Sequence, residues 1–405
     1  MLMCSIVSDL RCTCTCQNSS FWLYTVATAF PELRTHPVTV NNCTQNKQGP
    51  TCAPQNFPTY NYLSVALSLS LVPLGMPGHT QNVSSYSAED NSFGSDDSDL
   101  VELRSDEFIN YFVESNGRLF HSSATSPYPL PVDTPEQQRL NVLHNVLFCM
   151  IGAHYVGPVP EILMWEPGRH KIVVDMCTGT GKWVMEMAEQ YPHVRFYGFD
   201  IVPIATRYPL PNVNFEIHDV GERTRYPDRS IDFVHARSVS MTIRDYRRII
   251  REVSRILRPG GIFVSGEWGQ HPTIHPSYNL DPASQTPSFC HFFQLLRDAL
   301  ARRGIPQNVP GTVHSLLQSS GGFFEVTPQT HYFPVGPWSS DHAIQRIGRA
   351  FRAVLSRYMD SVRPVILELG VNASDLDDLY AGARAEIGRA QGLVAVYYSV
   401  HARRI

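Results

Sequence analysis

Apolar and polar positions along the chain fall into three regimes. Residues 1 to about 100 show no sustained period and end in a polar run at 84–99. Such a stretch cannot bury enough apolar surface to offset the entropy of ordering. It is expected to be largely disordered and in part absent from the mature protein. Periodicity begins near Leu100. Residues 106–114 carry Phe108, Tyr111 and Phe112 at helical spacing and predict a helix. Four prolines in 126–135 demand a loop or an extended link. Pro135 and Glu136 then open a second helix, because proline suits the first helical position and an acid suits the positive end. Leu140, Leu143, Leu147 and Met150 continue it at helical spacing until Gly157-Pro158.

From Lys171 the period changes. Strands are predicted at 172–174, 194–199, 213–217, 231–235 and 262–265. Helices at 181–191 and 243–257 alternate with them, the latter stopped by Pro259-Gly260-Gly261. Strands separated by helices indicate βαβ units, and so an α/β domain with a doubly wound, largely parallel sheet. Beyond Glu267 two helical stretches, 291–303 and 340–369, flank a strand at 323–333. A last strand at 393–400 is expected at the edge of the same sheet. The layout is a leader (1–100), a helical lid (101–165) and an α/β domain (166–405) with helical insertions near 271–322 and 338–390.

Composition narrows the partners. The 405 residues are 43% apolar, with 33 basic and 37 acidic side chains and a formal net charge of -4. Phosphate backbones need a basic excess, so no nucleic-acid partner is expected. Six of the nine cysteines, at 4, 12, 14, 16, 43 and 52, crowd into the leader without a framework spacing. The C-x-C-x-C run lacks zinc-ligand spacing, and no metal is expected. The most apolar early stretch, 60–77, is broken by serines and prolines, so no membrane association is expected. A reducing cytoplasmic setting is the default.

The informative segment is V-V-D-M-C-T-G-T-G, residues 173–181. An apolar strand ends in an acid, followed by a glycine-bearing turn and a helix. Ligands of open α/β sheets bind beyond the carboxyl ends of strands, and glycines let the backbone approach them. The dinucleotide fingerprint fails, since Val184 stands where its last glycine or alanine belongs. The phosphate loop fails too, because Gly181-Lys182 is followed by Trp183. The segment resembles motif I of class I methyltransferases, D-x-G-x-G-x-G. Asp200 ends the second strand, Asp219 follows the third in N-F-E-I-H-D-V, Asp232 sits in the fourth, and L-R-P-G-G (257–261) precedes the fifth. The runs Y-F-V-E-S-N-G-R-L-F-H (111–121), Y-P-L-P-V-D, E-x-x-R-L-x-x-x-H (136–144), H-A-R (235–237) and F-P-V-G-P-W (333–338) are similar to fungal LaeA-like methyltransferases. The resemblance covers about Leu100 to the end.

The resemblance implies a Rossmann-like domain and S-adenosyl-L-methionine as cofactor. Asp175, Cys177, Gly179 and Gly181 would cradle its methionine half. Asp200, with Ile201 beside it, would accept bonds from both ribose hydroxyls, since a carboxylate offers two acceptor oxygens. Asp219 would receive the adenine amino group, with Val220 packed nearby. Cys177 departs from the motif, which has glycine there; its Cβ could crowd the cofactor or sit harmlessly in an allowed conformation.

Methyl transfer asks little of the protein beyond position and, at most, a base. His235, at the end of the fourth strand, is the candidate general base; a packed structural histidine is the alternative. His121 and His144 in the lid are lesser candidates. Arg237 could bind an acidic substrate group bidentately, or pair with a local acid. Tyr111 could line the substrate pocket or pack in the core. Trp268, with Glu267, is expected at the pocket border. The arginines at 244, 247, 248, 251, 255 and 258 read as the solvated face of a helix. The resulting expectation is O-methylation of a small molecule (a polyketide-like acid, enol or phenol) in fungal secondary metabolism. The rival is a regulator of secondary-metabolite genes acting through protein partners, which would place the chain in the nucleus.

Overall fold

The computed structural model describes residues 100–405; the expectations for the leader and its cysteines lie outside the described residues. The chain enters through a single 3-10 turn, Phe108–Tyr111, and a hairpin of β1 (Phe112–Ser115) and β2 (Arg118–His121). The helix predicted at 106–114 is therefore corrected. Asn116 and Gly117 both take positive φ, 51° and 70°. That pair makes the tight hairpin turn that matches strand twist, and it outweighs the aromatic spacing before it. A loop over 122–133 then leads to α1 (Thr134–Ile151), capped by Asp133 at its start and by left-handed Gly152 at its end.

The α/β core follows the predicted order. It contains β3 (Ile172–Met176), α2 (Lys182–Gln190), β4 (Arg195–Asp200), β5 (Val213–Ile217), β6 (Ile231–Arg237), α3 (Tyr246–Ile256) and β7 (Leu257–Trp268). The parallel sheet runs β5-β4-β3-β6-β7. Chain order reverses between β3 and β6, which opens a crevice at the carboxyl ends of those two strands. Side-chain alternation sends Val173 and Phe233 to one face, against Trp183, Val184 and Met187 of α2. Val174 and Val234 go to the other face, against Ile249, Ile250 and Val253 of α3.

Beyond β7 come a short β8 (Thr273–Ile274), α4 (Pro287–Arg302), α5 (Val309–Ser319), β9 (Phe323–Pro334), α6 (His342–Leu367), α7 (Ala373–Arg389) and β10 (Leu393–Arg404). The expectation that the last strand lies at an edge is corrected. β10 runs antiparallel to β7 on one side and to β9 and β8 on the other. Its residues are buried at both parities, as an interior strand requires. The insertions build a second core in which α1, α4, α6 and α7 pack through Leu143, Phe292, Leu296, Met359, Val362 and Tyr380. Among the described residues no helix is long and apolar enough to cross a membrane.

Candidate functional site

The reversal point of the sheet opens into a cavity of about 230 Å³. Its polar end is built from the loops after β3, β4 and β5. Asp175 closes β3 and is buried; its Oδ1 accepts the His235 Nδ1–H at 2.7 Å and its Oδ2 accepts the Thr178 hydroxyl at 2.7 Å. The turn that follows alternates left-handed residues, Cys177 at φ 58°, Gly179 at 57° and Gly181 at 74°. The Gly179 amide donates to Asp200 Oδ2 at 2.8 Å and the Ile201 amide to Oδ1 at 2.8 Å. A carboxylate offers about four acceptor sites, so Asp200 keeps acceptor capacity for a ligand donor beside these amides. Burial pushes the Asp200 carboxyl up to about 6, against the pull of the backbone amides of Gly179, Ile201 and Val202.

A Cβ built on Gly179 meets nothing within 4 Å, so the backbone there is bare toward the crevice. Gly181 does not line the cavity; a Cβ on it would stand 2.5 Å from the Phe215 ring. Its task is the turn itself. Cys177 lines the cavity in the conformation that glycine favours, at a strain of about 1–2 kcal/mol. Its Sγ lies 3.8 Å from the Thr242 hydroxyl, and burial raises the thiol well above its ordinary range.

Ile201, Asp219 and Val220 all line the same cavity. Asp219 Oδ1 accepts the Gly221 amide at 2.8 Å, and its Oδ2 accepts the hydroxyl of Thr125 at 3.0 Å. Thr125 belongs to the loop before α1, and Arg244 donates to its carbonyl at 2.9 Å. Nothing in the sequence marks that contact, which joins residues 94 apart. The rest of the loop, through Tyr128, Leu130 and Val132, roofs the cavity.

The other end is apolar. Leu143 and Leu147 of α1, Phe289 and Phe293 of α4, and Phe351 and Val354 of α6 line it. Trp268 stands in this wall as expected, packed on Phe333, Phe351 and Tyr397. Glu267 is a buried neighbour. Its Oε1 accepts the Val239 amide at 3.0 Å and its Oε2 the Ser240 amide at 3.2 Å, while burial pushes its carboxyl up to about 7. Arg139, also lining the cavity, is buried against Glu136, whose Oε2 takes the Ser361 hydroxyl at 2.6 Å.

Three expectations need correction or refinement. His235 does not line the main cavity. The alternation of β6 puts its ring on the face of Trp183, stacked at 3.8 Å and 10°, with its Nδ1–H fixed to Asp175. Burial lowers its pKa. The geometry is that of a packed histidine, not of a base facing a ligand. Tyr111 lies in the entry turn, outside the cavity, because the hairpin carries it away. His121 bonds the Tyr128 carbonyl at 3.0 Å and holds the loop.

Arg237 does line the cavity, and its Nη2 donates to His144 Nδ1 at 3.1 Å. The His144 Nε2–H donates to Glu186 Oε2 at 2.6 Å, and Lys182 pairs with Glu186 Oε1 at 2.8 Å. Potential metal-ligand atoms of His144, His154 and Glu186 lie within 4.8 Å of one another. A guanidinium is always a donor, so Nδ1 of His144 must be a lone pair and Nε2 must carry the proton. That tautomer leaves His144 no nitrogen with which to ligate beside Glu186.

A family model described as a methyltransferase domain matches residues 158–304. The chain is 29% identical over 279 residues to the secondary metabolism regulator laeA of Coprinopsis cinerea, covering 67% of this chain and 69% of the relative. It is 27% identical over 298 residues to methyltransferase pytC of Aspergillus terreus, covering 72% and 87%. It is 26% identical over 260 residues to the protein-methionine methyltransferase laeA of Emericella nidulans, covering 62% and 65%. A solved phosphoethanolamine N-methyltransferase 2 of Haemonchus contortus shares 13% identity at a TM-score of 0.40, covering 71% and 61%, and is too distant to carry the assignment. The sheet order and the acid–glycine turn at its reversal point define a class I methyltransferase. Within that class the chain is similar to LaeA-like methyltransferases, and S-adenosylmethionine is its cofactor.

Proposed function

We propose that the chain transfers a methyl group from S-adenosylmethionine to an oxygen of a small, mostly apolar molecule in fungal secondary metabolism. The carrying observation is one cavity with two unlike ends, an acid-and-glycine end and an apolar end closed by α1, α4 and α6. The bound cofactor supplies the chemistry, an electrophilic methyl on a sulfonium. Asp175 and the turn at Cys177, Gly179 and Gly181 hold its methionine half. Asp200 accepts from the ribose hydroxyls with the acceptor capacity its backbone amides leave, with Ile201 beside it. Asp219 and Val220 take the adenine, and Thr125 holds the Asp219 carboxylate in place. The apolar end, with Trp268 in its wall, takes the acceptor and keeps water from the methyl. The cap comprises the hairpin, the loop over 122–133 and α1.

Incubating the full chain with labelled S-adenosylmethionine and a panel of aliphatic acids, aromatic acids, enols and phenols tests this. A methylated oxygen product is expected. Cofactor binding with no product across the panel overturns the small-molecule reading. A second reading follows the names of the laeA relatives, regulators of secondary metabolism and a protein-methionine methyltransferase. On that reading the chain acts through protein partners; nuclear location and labelling of a co-purified protein instead of a small molecule would favour it.

A further inference from the structure

Among the described residues three cations line the cavity, and two of them are neutralised. Arg139 is paired with Glu136, and Lys182 with Glu186. Arg237 has no carboxylate within 4.0 Å among the described residues. Its partner is the ring of His144, which burial, helped by Arg237 itself, pushes down to about 4. The ring is therefore neutral at physiological pH and supplies a lone pair but no charge. Glu186 is already offset by Lys182, so the group Arg237, His144, Glu186 and Lys182 carries one uncompensated positive charge. Arg237 is half-buried, and one of its five N–H donors is spent on His144. A partly desolvated charge without a counter-ion is costly unless an anion completes it.

The surroundings say where that anion enters. Arg237 ends β6 beside Gly266 of β7, adjacent to Glu267 and Trp268, and touches α1 at His144, between the cavity-lining Leu143 and Leu147. The indole Nε1–H of Trp268, in the same wall, is buried and has no partner among the described residues. It offers a second donor to an oxygen ligand. We propose that Arg237 is the anchor of a carboxylate carried by an otherwise apolar acceptor molecule. The inference rests on the methyltransferase reading and narrows its substrate to organic acids. A planar fork with free parallel N–H bonds suits a carboxylate, and the lobe around it suits the hydrocarbon remainder. The methionine half of the cofactor also bears a carboxylate, and the test separates the two sources.

Full-length protein saturated with S-adenosylhomocysteine is titrated calorimetrically with 2-naphthoate and decanoate, and with 2-naphthamide and decanamide. The acids are expected to bind at least about tenfold more tightly than their amides. In Arg237→Met the difference vanishes, in Arg237→Lys part of it survives, and S-adenosylhomocysteine affinity stays within about threefold in both. Equal binding of acids and amides by the parent overturns the proposal without need of a variant. So does a tenfold or greater loss of S-adenosylhomocysteine affinity in a folded Arg237→Met, which would assign the guanidinium to the cofactor. A parent that binds no S-adenosylhomocysteine sinks the methyltransferase reading instead, and the acid–amide comparison on that unliganded chain still decides the anion site.

Discussion

Replacing His235 with leucine removes two interactions that the structure makes visible. One is the hydrogen bond from Nδ1 to Asp175 Oδ1, 2.7 Å long between residues that are each 4% exposed. A buried bond to an ionised partner contributes about 1.5–3 kcal/mol. The other is the stack on Trp183 at 3.8 Å, worth about 0.5–1.5 kcal/mol beyond burial. Leucine restores part of the apolar contact, so the expected destabilisation is about 2–4 kcal/mol. At roughly 2–4 °C per kcal/mol for a domain of this order, Tm falls by about 4–16 °C. Thermal unfolding followed by circular dichroism reads this directly. The second readout is the pH–rate profile on an accepted substrate. A histidine locked outside the cavity leaves the shape of that profile unchanged in the variant, even if the rate drops through a displaced Asp175. A Tm within about 1 °C of the parent, with turnover down a hundredfold and one limb of the profile lost, would refute the packing argument and restore His235 as the base.

Other perturbations follow from the same geometry. Gly181→Ala puts a Cβ 2.5 Å from Phe215 at a φ of +74° and should cost at least about 2 kcal/mol in urea unfolding. A cost below 0.5 kcal/mol, a threshold set by ordinary surface substitutions, would mean the turn relaxes freely. Glu136→Ala strips the buried Arg139 of its carboxylate and should cost about 3–5 kcal/mol, with Glu136→Gln milder. Burial raises the Asp200 carboxyl to about 6, so its acceptor form is present above that value and lost below it. S-adenosylhomocysteine affinity should therefore weaken roughly tenfold from pH 7.5 to pH 5, and Asp200→Asn should bind weakly with a flat profile.

The residues that the sequence made legible are those whose role is local. An apolar strand ending in an acid, followed by glycines, marks Asp175, Gly179 and Gly181 without any three-dimensional information, and Asp200 and Asp219 follow at the ends of the next two strands. His235 was legible in principle as well. It shares the parity of Phe233, and Phe233 lies on the Trp183 face, so alternation places the ring against that helix. The hairpin at Asn116-Gly117 was a turn signal overshadowed by three aromatics at helical spacing. The contacts of Thr125 with Asp219, of Ser361 with Glu136, and of His144 with Arg237 carry no such signal. They join segments from 93 to 225 residues apart, and only the packing of the cap and the insertions creates them. Cys177 is intermediate: the motif flags it, but its left-handed conformation appears only in the fold.

The proposed function depends on the crevice at the end of β3 and β4 holding S-adenosylmethionine despite Cys177. Calorimetric titration of the full chain with S-adenosylmethionine, beside Asp200→Ala, tests it most directly. Micromolar binding by the parent and a loss of about tenfold or more in the variant are expected, since the role proposed for Asp200 is to serve both ribose hydroxyls. A folded parent that binds nothing, or a variant that binds as tightly as the parent, would contradict it.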